Sequence, residues 1–425
     1  MYNDLYHTLS SHPPYAGTQQ CPKLKILIKY TFNLPFRRIY SLFMTSIQSA
    51  NTLGTEPIAH PEYVSPGMPP MQKADFTVSY FEFWPTWVMY LPVIFDWLYL
   101  SVKNRSLSLP LIANPRIPNS GMVGFSKNDF LLQANQNSQQ YILPWITYKV
   151  SDQPADEQVD NIIVKLKNLK LGFPIVGKPD MGCRGAGVNL LKDKIELSRY
   201  LENYPAGSEF MLQQLADWEP EAGIFYVKHP HENTGHITSI ALKYTPYVVG
   251  DGQHTLLELI ERDERANKVS HLYKMRHKDL LDTVIPKDEP FRLVFAASHC
   301  RGAVFTDGRE YITDALTQKI DEIMNGFPEF YYGRLDVKFK NVDQLKKGQD
   351  ISIIEVNGAS SESLHIWDKN AGLVEAWRSL IWQYRTLFAI GAENRARGYK
   401  PPGIVSLLTA WRKENNLTTH YPQTD

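Results

Sequence analysis

The run FPIVGKPDMGCRGAGV, Phe173–Val188, reads as a short β-strand that empties into a glycine-rich turn. Strand-forming residues deliver Lys178, Pro179 ends the strand, and Gly182, Gly185 and Gly187 follow closely. Glycine lets a backbone approach an anion with no side chain in the way, and successive N–H groups in such a turn form an anion nest. With a lysine on the strand before it, the turn suits a triphosphate. It does not match GxxxxGK[ST], so it is not a Walker loop. Many tight loops are glycine-rich for conformational reasons alone, and the phosphate reading needs support from elsewhere in the chain.

That support lies much further along. GRLDVKF, Gly333–Phe339, reads as a strand with Arg334, Asp336 and Lys338 on one face and Leu335, Val337 and Phe339 on the other. ISIIEVN, Ile351–Asn357, reads as a second strand that carries Glu355 and Asn357 on one face. Paired, the two strands bring Asp336, Glu355 and Asn357 together as three oxygen ligands beside an arginine. Hard oxygen donors of that number, completed by phosphate oxygens and water, are what Mg²⁺ takes. Taken alone, each pair is better read as salt bridges from Asp336 and Glu355 to Arg334 and Lys338. Taken with the lysine and the glycine turn, the metal reading leads.

Lys127 in GFSKNDF, Lys178 in the KPxxGxxGxGV segment, FMLQQL (Phe210–Leu215), PEAGIFYV (Pro220–Val227), GRLDV and IIEVN together resemble the ATP-grasp superfamily in order and approximate spacing. Within it, the resemblance is to the carboxylate-amine ligases, the group that includes D-alanine-D-alanine ligase, glutathione synthetase and cyanophycin synthetase. It covers roughly Gly121–Trp377, and VVGDGQHTLLELIE (Val248–Glu261) is similar to a stretch of the cyanophycin-synthetase-like ligases. The resemblance implies an α+β fold, the ATP-grasp, in which two α+β subdomains clasp ATP. Residues 121–215 would contain the smaller subdomain and 216–400 the larger one with the metal site.

Carried over by position, the resemblance gives Lys127 and Lys178 contacts to the nucleotide phosphates and adenine edge, beside Gly182, Gly185 and Gly187. It puts Gln213 and Leu215 on the hinge that meets adenine, and Glu221 where an acidic residue holds the ribose. Asp336, Glu355 and Asn357 fall on the ligands of one or two Mg²⁺ ions, or Mn²⁺, and Arg334 on the cation facing the transferring phosphoryl group. Gln213 replaces the commoner glutamate, and an amide oxygen can still accept from the adenine amino group. GASSESLHIWD, Gly358–Asp368, lacks the Pro-Gly turn and substrate-binding serine of D-alanine-D-alanine ligase, so dipeptide synthesis from D-alanine is not expected.

The implied reaction joins a small-molecule carboxylate to an amine through an acylphosphate, with release of ADP and phosphate. No side-chain nucleophile is needed, so Cys183 reads as a small residue in the turn. Arg301, in SHCRGAVF, is a further catalytic candidate on a strand facing the phosphates, and Ser360, Ser361 and Ser363 are candidates to touch the acceptor. His254, His299 and His365 lie near these segments; a histidine there is more often a hydrogen-bonding core or surface residue than a base. The rival readings are an ATP-grasp kinase and a nucleotide-binding protein without catalysis.

Outside these motifs the chain sets bounds. Its 425 residues are too many for one ordinary core, and 43% hydrophobic with 21% charged residues describes a globular protein. Lysine plus arginine and aspartate plus glutamate are 45 each, which gives no reason to expect nucleic acid as a partner. Three scattered cysteines without a CxxC pair, and no apolar run followed by a cleavage site, point to the cytoplasm. Residues 1–75 read as an arm and linker, and 76–120 as a helical segment of an N-terminal domain. FEFWPTWVMYLPVIFDWLYLSV, Phe81–Val102, is apolar nearly all round a helix and must be buried, in the domain or at a homodimer interface; peripheral membrane contact is the less favoured reading. A long amphipathic helix over Ala371–Arg397 should stop before Pro401-Pro402, leaving 401–425 as a tail.

Overall fold

The computed structural model describes residues 63–71, 81–82, 84–182, 185–296, 298, 301–422 and 424. The expected arm therefore lies largely outside the described residues, as do Cys183, His299 and Cys300.

The fold is α+β and is built on two antiparallel sheets. The smaller comprises β1 (Trp145–Lys149), β2 (Ile175–Pro179), β3 (Asn189–Leu191) and β4 (Glu209–Gln214), in the order β1-β4-β2-β3. Helices Ala155–Asn168 and Lys194–Glu202 supply Ile162, Leu166, Leu197 and Leu201 to its core, which they share with Ile146, Ile175, Phe210 and Leu212. Asp193 caps the second helix by accepting from the N–H groups of Ile195 and Glu196.

The larger sheet adds β5 (Glu221–Val227), β6 (His236–Tyr244), β9 (Val304–Asp307), β10 (Tyr332–Phe339) and β11 (Ile351–Asn357), in the order β11-β10-β5-β6-β9. β7 (Tyr247–Val249) and β8 (Pro290–Arg292) make a separate ribbon. Alternation on β10 has its expected effect: Leu335, Val337 and Phe339 are fully buried while Arg334 and Lys338 are half-buried on the other face. The buried face packs on helix Asp314–Met324, whose Leu316, Ile320, Ile323 and Met324 recur at helical spacing. Truncating a fully buried residue such as Ile320 to alanine would cost about 2–5 kcal/mol.

The two sheets meet along β11, the edge strand of the larger one. An edge strand presents unpaired backbone groups. Here they are used: Ile353 N–H donates to Tyr141 O at 2.7 Å, Leu143 N–H donates to Ile353 O at 3.2 Å, and the ammonium of Lys178 on β2 donates to Ile354 O at 2.8 Å.

Helix Leu373–Ala396 forms as expected, with Gly398 beyond it at φ +101°. Two elements add to the sequence reading. Past the proline pair the chain makes another helix, Ile404–Thr418, which docks through Glu414, whose carboxylate accepts from Gly124 N–H at 2.8 Å. The aromatic segment is also not buried all round. Helix Leu91–Lys103 sets Val93 and Leu100 into the core beside helix Leu373–Ala396, but Leu91, Ile94, Phe95, Leu98, Tyr99 and Val102 remain exposed, because the helix has a neighbour on one side alone among the described residues.

Candidate active site

The residues singled out from the sequence converge where β2 meets β11. Lys178 is buried, and its ammonium donates to Gln213 Oε1 at 2.8 Å and to Ile354 O at 2.8 Å. Gln213 on β4, which stands opposite Val176 of β2, is itself fixed by donating to Leu143 O at 3.1 Å. Burial pushes the Lys178 ammonium down to about 8; Glu355 opposes that shift and Lys127 adds to it. A buried lysine with a depressed pKa where the two sheets meet is a candidate binding-site group.

Lys127 comes from a short helix, Lys127–Leu131, capped by Ser126, whose hydroxyl accepts from Asp129 N–H at 3.0 Å. Asp180 locks that helix to the strand bearing Lys178, its carboxylate accepting from Asn128 N–H at 2.8 Å and its carbonyl from Lys127 N–H at 3.2 Å. The Lys127 ammonium then reaches both Gly182 O, at 2.8 Å, and Glu355 Oε1, at 3.7 Å.

On the larger sheet, Asp336 stands opposite Glu355 and Arg334 opposite Asn357. Arg334 holds Asp336 with two hydrogen bonds, Nε to Oδ1 at 2.7 Å and Nη2 to Oδ2 at 3.1 Å, and Asn357 Nδ2 donates to Asp336 Oδ2 at 3.2 Å. Burial pushes the Asp336 carboxyl up, Arg334 pulls it back, and Glu355 adds to the rise. The salt-bridge reading weighed above is thus half present: Arg334 pairs with Asp336, whereas Lys338 pairs with Glu221 at 3.0 Å. Gly223 on β5 lies opposite Asp336, and a Cβ there would come within 3.1 Å of Arg334 Cδ and 2.9 Å of Leu364 Cδ1. A Cβ there would displace the end of Leu364 and crowd the arginine that holds Asp336.

Glu221 lies farther along the same face. Lys243 at 2.5 Å and Lys338 at 3.0 Å hold it from two strands, and although burial pushes its carboxyl up, the two lysines outweigh that and keep it down at about 2. Leu215 follows β4 and is half-buried.

The glycine turn is occupied. Gly187 N–H donates to Thr424 Oγ1 at 2.8 Å, Thr424 Oγ1 donates to Gly185 O at 2.9 Å, and Tyr421 Oη donates to Met181 O at 2.6 Å. Gly185 and Gly187 both take φ +70°, and a Cβ on Gly187 would lie 2.8 Å from Pro179 Cγ. Arg301 reaches this turn, Nη1 donating to Gly185 O at 3.1 Å, but from a loop before β9 and not from a strand.

Other candidates sit apart. His365 is buried between Ser239 and Ser379, at 2.7 and 3.2 Å, and His254 pairs with Asp251. Ser361 donates to Gly358 O at 2.6 Å, and Ser360 is exposed. Between Ser361 and Ser363 stands Glu362, not singled out from sequence: its carbonyl accepts from Arg334 Nη1 at 3.3 Å, and its carboxylate accepts from Trp367 Nε1 at 3.3 Å and from Tyr90 Oη. Elsewhere, His229 Nδ1 and His231 Nδ1 meet the two oxygens of Glu393 at 2.8 and 3.0 Å, a nitrogen-rich group unlike an Mg²⁺ site.

No family model matches the sequence, and no curated protein matches it either. Solved structures similar to the chain include a bifunctional glutathione synthetase from Pasteurella multocida (14% identity, 64% of this chain and 38% of that one, TM-score 0.32). They also include a D-Ala:D-Ser ligase from Enterococcus faecalis (12% identity, 63% of this chain and 62% of that one, TM-score 0.35). A third is a D-alanine–D-alanine ligase from Bacillus anthracis (13% identity, 65% of this chain and 73% of that one, TM-score 0.34). The chain spans less than two thirds of the length of the first two.

Proposed function

We propose that the chain is an ATP-grasp enzyme that joins a carboxylic acid to an amine through an acylphosphate, releasing ADP and phosphate. The observation that carries this reading is the convergence of Lys178 from the smaller sheet, and Lys127 from the helix docked on it, with Asp336, Glu355 and Asn357 from the larger sheet at a single junction. Neither sheet holds both sets.

The donor set fits Mg²⁺: two carboxylates directly opposite one another, an amide beside them, and an Asp336 carboxyl raised by burial and by Glu355. Bound there, Mg²⁺ would neutralise phosphate oxygens and make the γ-phosphorus more electrophilic. Lys178 and Lys127 bind the triphosphate, and Lys178 becomes more fully protonated as they do so. With the like-charge repulsion thus reduced, a substrate carboxylate oxygen attacks the γ-phosphorus, the bond to the β-phosphate oxygen breaks, and ADP leaves. The amine then attacks the acyl carbon and expels phosphate, with a proton lost from nitrogen. Arg334, anchored by Asp336, is placed to stabilise charge on the transferring group.

Hydroxylamine tests the intermediate. Given MgATP and the right acid, the protein should form a hydroxamate with one ADP per hydroxamate, and Glu355→Gln should abolish it. Hydroxamate formed with AMP and pyrophosphate would mean an acyl-adenylate and contradict the proposal.

A further inference from the structure

Helix Leu91–Lys103 is apolar on two opposite sides. Val93 and Leu100 face the core, while Leu91, Ile94, Phe95, Leu98, Tyr99 and Val102, spaced three and four apart, form an outward stripe 44–80% exposed. Trp87, 60% exposed, precedes it. An apolar stripe of this extent on the surface marks a contact. Its composition of tryptophan, tyrosine, phenylalanine and leucine suits the boundary between headgroups and acyl chains.

The unpaired exposed charges named beside the stripe are basic, since Asp96 is paired with Arg385 and Glu375 with Arg309. Lys103 and Arg105 are exposed where the helix ends. On the adjoining helix Leu373–Ala396, Arg378, Trp382 and Arg385 form an exposed row, and Arg385 reaches across to Asp96 at 2.6 Å. Asp96 is the only carboxylate of helix Leu91–Lys103, and that pairing neutralises both groups, so the cationic rim is Lys103, Arg105 and Arg378. A symmetric contact with a second copy would bring this cationic rim against itself. An anionic lipid surface meets both the apolar stripe and its rim.

We infer that this face docks on the surface of an anionic lipid bilayer, with the helix lying along the boundary. At 13 residues the helix is about 20 Å long, shorter than the roughly 30 Å hydrocarbon core, and no helix among the described residues is long and apolar enough to cross a membrane. The docking face is joined to the candidate active site: Tyr90, at the start of the helix, donates to Glu362, whose carbonyl accepts from Arg334. The inference stands on the surface alone and does not need the ligase reading.

Flotation with vesicles tests it. The full chain should bind phosphatidylcholine vesicles containing phosphatidylglycerol at least about tenfold more tightly than phosphatidylcholine alone. The double variant Phe95→Ser/Leu98→Ser, and separately Lys103→Glu/Arg105→Glu/Arg378→Glu, should each lose about tenfold or more, with unchanged circular dichroism because all five side chains are exposed. Equal binding by wild type and variants, or none by wild type, would overturn the proposal. So would a dimer that the Phe95→Ser/Leu98→Ser change converts to monomer while vesicle binding stays absent, since the stripe would then be covered by a second copy.

Discussion

Replacing Lys178 by methionine keeps the length of the side chain and removes its charge, and the structure sets opposing effects on that change. Burial lowers the Lys178 ammonium from 10.5 to about 8, which makes the charged form about 3 kcal/mol less favourable in the folded chain than in the unfolded one at neutral pH. Methionine removes that penalty but leaves Gln213 Oε1 and Ile354 O without their donor, at about 1–3 kcal/mol each. Near neutral pH the two effects roughly offset one another. The pH dependence separates them. Between about 8 and 10.5 the unfolded wild-type chain holds a proton at this position that the folded chain has released, so wild-type stability rises with pH through that window. The difference in unfolding free energy between wild type and Lys178→Met, measured by urea denaturation at either end of the window, should shift by about 3 kcal/mol in favour of wild type. Nucleotide binding should follow the opposite course: wild-type affinity for MgATP falls above pH about 8 as the lysine loses its proton, while the variant binds weakly at every pH. Parallel stability curves for the two proteins would refute the claim that Lys178 is a buried, poised cation.

Other substitutions probe neighbouring parts of the site. Gly223→Ala should crowd Arg334 and Leu364 and lower Mg²⁺-dependent ATP affinity by about tenfold or more with circular dichroism unchanged; equal affinity in a nucleotide titration would show that the pair tolerates displacement. Thr424→Ala frees Gly187 N–H, so MgATP should bind a few-fold more tightly if that N–H serves a phosphate, and weaker binding measured by calorimetry would instead make the Thr424 staple a support of the turn. Glu82→Ala removes the carboxylate that holds the buried guanidinium of Arg265 at 2.7 Å, with the carbonyls of Gly302 and Ala303 still accepting from it, and should cost about 3–5 kcal/mol in a denaturant melt; a change below about 1 kcal/mol, the worth of a surface pair, would mean the pair is solvated.

Strand periodicity made the centre of this molecule legible. GRLDVKF alternates so cleanly that the face of Leu335, Val337 and Phe339 follows from period two, whereas in ISIIEVN the alternation breaks at Ile354-Glu355, where the pairing with β10 shifts register between Asp336 and Val337, a bulge the sequence does not announce. Lys178 was legible from its place between a strand and a proline. What sequence could not supply was contact between distant segments. Tyr421 and Thr424 staple the glycine turn through one hydroxyl each, from a stretch with no motif of its own. Glu362 was passed over beside its serines because its role comes from Arg334 and Tyr90, far away in the chain. Gly223 reads as an ordinary strand glycine until Arg334 is placed beside it.

Helix Leu91–Lys103 reads as buried in the domain or at an interface because both its sides are apolar; within the chain one side is buried, and among the described residues nothing covers the outer stripe. Helix Ile404–Thr418 stands in place of the tail expected over 401–425; of its side chains Glu414 alone is buried, so it has no strong apolar stripe to announce it.

The most direct measurement of the central claim is nucleotide product analysis with pooled carboxylic acids and amines, comparing wild type with Glu355→Gln. ADP and phosphate in equal amounts, formed when both an acid and an amine are present and lost in the variant, is the predicted result. AMP and pyrophosphate, or ADP with a stable phosphorylated product that needs no amine, would contradict it.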